Sequence, residues 1–122
     1  MMLARIALSL VVLSFGTAQA AECRGSEGQT PAVQFNVTWT KSGPFKIGTQ
    51  ERWDVTQTGF GQTLTGQVDV TFNDSNFSAT KVGMSDRNNC TYTGTVSGGS
   101  VSGTYNCPLN GGPFKFNLVC TQ

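Results

Sequence analysis

CTYTGTVSGGSVSGTYNC, residues 90–107, reads almost identically in both directions about Gly98-Gly99. Placing the two glycines in a two-residue hairpin turn, where left-handed backbone is required, sets Ser97 opposite Ser100, Val96 opposite Val101 and Thr95 opposite Ser102. The same register continues through Gly94 with Gly103, Thr93 with Thr104 and Tyr92 with Tyr105, and ends with Cys90 facing Cys107. Opposed residues of a non-hydrogen-bonded antiparallel pair have Cα atoms about 4.5 Å apart, within reach of a disulfide. One face of the hairpin carries Cys, Tyr, Gly and Val from both strands, and the other only Thr, Ser and Asn. The first face is expected in a core and the second in water.

Working outward, the same alternation recurs along the chain. Val33, Phe35, Val37 and Trp39 alternate with polar residues, as do Leu64, Val68, Val70 and Phe72. Phe45 to Thr58 is long for one strand, and Gly48 predicts a bend within it. Gly59-Phe60 fits a two-residue turn with glycine first, which would set Val55 across from Leu64 and Trp53 across from Gly66. Phe77 and Ala79 start a strand in one parity while Val82 and Met84 continue in the other, so a bulge is expected near Thr80 to Gly83. Phe114, Phe116, Leu118 and Cys120 form a final inward set. No segment beyond residue 20 has helical period. The expected fold is therefore all-β, a small up-and-down antiparallel meander of 7 to 8 strands. Pairing the Val33 strand with the last strand would remove the exposed edges and close a barrel.

Residues 1–20 place Arg5 ahead of an apolar run and end in Ala18-Gln19-Ala20, the form of a Sec-type bacterial secretory signal peptide. Residues 21–32 are polar and glycine-bearing and read as an irregular N-terminal arm, leaving 33–122 as a single β-barrel domain. The apolar run is too short to span a bilayer and no later stretch reaches the required length, so no membrane span is expected. The chain carries 8 Lys+Arg and 7 Asp+Glu, and without Arg5 the two are equal. No basic stripe exists, which argues against nucleic acid as a partner. A periplasmic or secreted protein with 4 cysteines should hold them as disulfides. Barrel closure pairs Cys90 with Cys107 at one rim and Cys23 with Cys120 at the other. The absence of any C-x-x-C spacing argues against zinc, and no metal or cofactor is expected.

Histidine is absent, so the commonest general base is missing, and no Ser or Thr has an evident activating partner. Asp54 and Asp69 fall on the outward parity, and the expected role is surface pairing with Arg52 or Lys81. Glu51 shares the inward parity of Trp53 and Val55, which places it at a rim or as a polar anchor. An enzyme is not expected. The inward glycines Gly66, Gly94 and Gly103 would leave room beside Trp39, Trp53, Tyr92 and Tyr105, and these residues are the candidate ligand site. An eight-stranded barrel is just wide enough to be filled by its own side chains or to hold one small ligand. Phe60, at a hairpin tip, would plug the barrel end or contact a partner.

Trp53-Asp-Val-Thr-Gln-Thr-Gly59 followed by Leu64-Thr-Gly66 resembles the Trp, Gly-turn and Leu-Thr-Gly pattern of avidin-type and lipocalin-type (calycin-like) barrels. The resemblance covers these two stretches alone and implies a meander barrel holding a small ligand in its open end. The chain has only Trp39 and Trp53 where avidins line their site with several tryptophans, and it lacks the Gly-x-Trp of lipocalins. The expected function is that of an exported, non-enzymatic barrel that binds a small apolar or amphipathic ligand or a protein. The alternatives are a periplasmic or secreted inhibitor of an extracellular protease or lysozyme, and a structural or surface-associated protein.

Overall fold

The computed structural model describes residues 20–30 and 33–121. The signal peptide expected over residues 1–20 lies, except for Ala20, outside the described residues. The described chain forms eight antiparallel strands in a closed barrel. In chain order they are β1 (Ala21–Thr30), β2 (Val33–Lys41), β3 (Glu51–Gly59), β4 (Gln62–Asn73), β5 (Asn76–Val82), β6 (Thr91–Ser97), β7 (Ser100–Cys107) and β8 (Gly111–Thr121). Each strand pairs with the next, and β1 pairs with β8 to close the wall.

The hairpin of β6 and β7 has the register its near-palindrome demands, from Ser97 with Ser100 to Tyr92 with Tyr105. Gly98 supplies the left-handed turn conformation at φ 62°. Both expected disulfides are present, Cys90 with Cys107 and Cys23 with Cys120, with Cα separations of 4.1 and 4.0 Å. They staple opposite ends of the barrel.

Four expectations need correction. Residues 21–30 are not an irregular arm: they form β1, which lies between β2 and β8 and takes the closing role assigned to the Val33 strand. Its backbone groups find partners on both sides, which compensates for an inward set as poor in apolar surface as Ala21, Cys23, Gly25 and Glu27. The β3–β4 turn is Phe60-Gly61, both left-handed at φ 53° and 73°. The register therefore pairs Val55 with Gly66 and Trp53 with Val68. A slip of two residues keeps every side chain on its expected face. The stretch from Phe45 to Gln50 belongs to a loop rather than to a strand, with Gly48 at φ 85°. Finally, β5 has no bulge: its alternation runs unbroken through Phe77, Ala79 and Lys81, and it is Lys81 rather than Val82 that points inward.

The barrel fills with rings. Trp39 stacks on Phe77 at 5.8 Å and meets Tyr92 edge-on at 5.3 Å, while Phe77 and Tyr92 both contact Phe116. At the end that holds the 42–50 loop, Phe45 folds over the opening against Phe72, at 4.6 Å, and Trp53. Three backbone and side-chain bonds pin this loop: Ala21 N–H to Gly43 O at 3.2 Å, Gly48 N–H to Phe72 O at 2.6 Å and Lys46 N–H to Glu51 Oε1 at 2.9 Å. This end is plugged. The other end, where the 83–90 and 108–110 loops and the Phe60 turn lie, is open.

Candidate functional site

Inside the open half the ring packing gives way to a polar cluster. Glu27 comes from β1, Gln57 from β3, Lys81 from β5 and Tyr92 from β6, each at an inward position of its strand. Glu27 and Lys81 are each 2% exposed and Gln57 is 7% exposed. Lys81 Nζ donates to Glu27 Oε1 and Oε2, both at 3.2 Å, and to Gln57 Oε1 at 2.6 Å. The Tyr92 hydroxyl donates to Glu27 Oε1 at 2.6 Å, and Lys81 Nζ lies 5.1 Å from the centre of the Tyr92 ring. An isolated buried charge would cost far more than a fold of this size has to spare, and the mutual pairing is what permits both ions to stay inside.

The electrostatics follow from this burial. Desolvation lowers the Lys81 pKa, and the adjacent Glu27 carboxylate opposes that effect. Desolvation, reinforced by the Glu27 charge, pushes the Tyr92 hydroxyl well above the ordinary phenol range and raises that of Tyr105. Both phenols are therefore neutral at physiological pH, and Tyr92 donates to Glu27.

Above the cluster, a cavity of about 130 Å³ opens toward solvent. Glu27, Gln57, Lys81 and Tyr105 border it from below, Met84 and the Cys90–Cys107 bridge from the side, and Asp86 and Asn110 from the loops. Asn88 ties those loops together, donating from Nδ2 to Asn110 Oδ1 and accepting the Leu109 N–H at its own Oδ1. A larger hollow of about 550 Å³ lies on the outer wall beside Ser26, Gln34, Phe114 and Lys115, and none of the buried polar groups reaches it.

The expected ligand-site residues divide between the two halves. Tyr92 and Tyr105 stack at 4.8 Å beside the polar cluster, and Tyr105 borders the cavity. Trp39 and Trp53 are buried away from it among rings, their indole Nε1 atoms without a hydrogen-bond partner among the described residues. Gly66, Gly94 and Gly103 leave no room for a ligand. A Cβ at Gly66 would meet Met84, at Gly94 the Ser102 carbonyl and Phe116, and at Gly103 the Thr93 carbonyl. Phe60 does not plug the barrel; it is 63% exposed and sits edge-on to Phe35, at 5.2 Å, on the rim of the open end. Leu109, 68% exposed, stands on another loop of that rim. Glu51 is at the plugged rim, 3.8 Å from Lys41. Asp69 pairs with Arg52 on the outer wall through two bonds of 2.8 and 3.0 Å, while Lys81 is committed to Glu27.

Glu27, Gln57 and Lys81 were not expected inside. Parity alone would have found Gln57 two residues after Val55, and also Lys81 two after Ala79, had the expected bulge not placed Val82 and Met84 inward instead. Comparison with protein-family models, curated proteins and solved structures finds no match to this chain.

Proposed function

We propose that this chain is an exported, non-enzymatic β-barrel that binds a protein partner at its open end. The observation that carries this reading is the difference between the ends: Phe45 closes one, while the other presents Phe60 and Leu109 around a cavity of about 130 Å³. Sites for drug-sized ligands measure roughly 300–1,000 Å³. A volume of about 130 Å³ admits one side chain or a few waters, which favours a protein over the small apolar or amphipathic ligand of a calycin-like barrel. Exposed aromatic and aliphatic side chains on separate loops, rimmed by amides, are the composition of an interface core. The two disulfides are consistent with a periplasmic or extracellular location, and the Sec-type leader expected from residues 1–20 is in keeping with export. Lys81 supports the non-enzymatic reading, since it is buried and held by the Glu27 carboxylate and Gln57. If the partner is a hydrolase, the role becomes inhibition, with the Phe60 hairpin as the inserting element.

The test is affinity capture from the extracytoplasmic fraction of the native host, with the wild-type barrel, Phe60→Asp, and Ile47→Asp on the plugged end as bait. A protein retained by wild type and Ile47→Asp, and held about 30-fold more weakly by Phe60→Asp, is the expected result for an aromatic anchor. Equal retention by all three, or a native mass spectrum showing a bound small molecule instead, overturns the reading.

A further inference from the structure

We infer that the open-end cavity is a receptor for a lysine side chain of the protein partner, an inference that rests on docking at this end. The hydrogen-bond pattern bears on the sign of the guest. Lys81 Nζ is held by both oxygens of the Glu27 carboxylate and by Gln57 Oε1. Its charge is thereby answered by Glu27, and the pair presents no uncompensated positive charge to an anion. A carboxylate has about four acceptor sites. Glu27 accepts two bonds from Lys81 and one from Tyr92, so acceptor capacity remains at the cavity floor.

Charge points the same way. Among the residues bordering the cavity the ionised groups are Glu27, Lys81 and Asp86, which sum to one negative charge. Asp86 has no cation within ion-pair distance among the described residues; its Oδ1 accepts only the Asn88 N–H, at 3.0 Å. Its charge raises the Lys81 pKa, the last of the influences on that group, and both residues border the cavity. Low-dielectric walls concentrate such a field on whatever enters.

Size and wall chemistry narrow the cation to lysine. A cavity of about 130 Å³ is well below the roughly 300–1,000 Å³ of sites for drug-sized ligands and suits a single unbranched side chain. Leu64, Met84, Phe35 and the Cys90–Cys107 bridge line the way in and suit a four-carbon stem, while the acceptors wait at the floor. Phe60 and Leu109 then cover the backbone that carries the side chain.

Nuclear magnetic resonance titration with n-butylammonium as the probe tests the inference, following the amides of Gln57 and Tyr105. Butyrate and n-butanol serve as the anionic and neutral controls of similar shape. Saturable shifts with Kd on the order of 1 mM are expected for so small a probe. Asp86→Asn, on an exposed loop where the fold is not at stake, should weaken binding about tenfold, as expected when one charge beside a low-dielectric hole is neutralised. Binding of butyrate or butanol as tight as that of butylammonium overturns the inference, as does an unchanged affinity in Asp86→Asn. Loss of the partner by Phe60→Asp, with no response to butylammonium, removes the lysine and leaves the docking reading standing. Butylammonium binding together with partner retention that ignores Phe60→Asp removes the docking reading, and the partner's lysine with it.

Discussion

The two halves of this barrel solve the same filling problem with opposite materials. Around Phe45, Trp53 and Phe72 the interior is rings in contact at 4.6 to 6.2 Å. Around Glu27 and Lys81 it is an ion pair with an amide and a phenol, topped by a cavity. Ring packing is non-directional and tolerates substitution in proportion to lost area. The polar cluster is all or nothing, because each member exists to satisfy another. A barrel wall cares only that alternate side chains point inward, so one fold can be dry and solid at one end and charged and hollow at the other.

The disulfides give the largest handle on this difference, one at each end. Cys23→Ala/Cys120→Ala opens a link across 97 residues and should cost about 4.7 kcal/mol, whereas Cys90→Ala/Cys107→Ala opens one across 17 and should cost about 3 kcal/mol. Urea midpoints measure both, and the reverse order would remove chain entropy as the explanation.

Substitutions inside the two halves come next. Trp53→Ala should cost about 3–5 kcal/mol through the cavity it leaves in the plugged half. Lys81→Met should cost about as much, roughly 3–5 kcal/mol, by stranding the Glu27 carboxylate in the interior. The two losses differ in how they are repaired. Replacing the cluster together, as Glu27→Leu/Lys81→Met/Tyr92→Phe, should return stability to the wild-type level or above it, since buried ion pairs seldom outperform apolar residues of similar volume. A triple variant as unstable as Lys81→Met alone would break the comparison.

The finest test uses pH. Tyr92 and Tyr105 are the chain's only tyrosines, and the folded state raises both pKa values. Groups so raised contribute stability that is full below the unfolded phenol pKa of about 10 and is lost as pH rises beyond it. Lys81 is lowered and acts in the opposite sense, adding stability as pH climbs toward its unfolded value of about 10.4, after which its contribution is constant. Above roughly pH 10.5 only the tyrosines remain, so stability should fall with pH. Tyrosinate absorbance should therefore emerge together with the loss of far-ultraviolet strand signal. Its appearance at pH 10 in a folded barrel would show that the open half is wetter than its geometry.

How much of this was legible depended on what each strand used to hold itself in place. The β6–β7 hairpin, with its disulfide, could be read residue by residue because its two arms share one pattern. The class of fold and both cystine pairings followed from alternation and closure. The β3–β4 register was legible to face but not to position, because Phe60 takes a left-handed conformation that side chains seldom adopt. β1 was illegible: AECRGSEGQT has little strand propensity, and its place is secured by two neighbours and a cystine rather than by its own residues. The polar cluster was missed for a related reason. A lysine or glutamate in sequence reads as surface, and only a partner 54 positions away makes Lys81 and Glu27 an interior pair.

The pairing of β1 with β8 also sets an order in time. Residues emerge from a ribosome or a translocon one after another, yet β1 acquires its second neighbour only when residues 111–121 have appeared. Until then the growing sheet has two free edges, each a row of unpaired N–H and C=O groups able to recruit another chain. Contacts between such distant segments are slow to form. The most exposed moment in the life of this protein therefore falls just before its last strand arrives, and a chain stopped short of residue 111 would remain in that condition, an open ribbon without a seam.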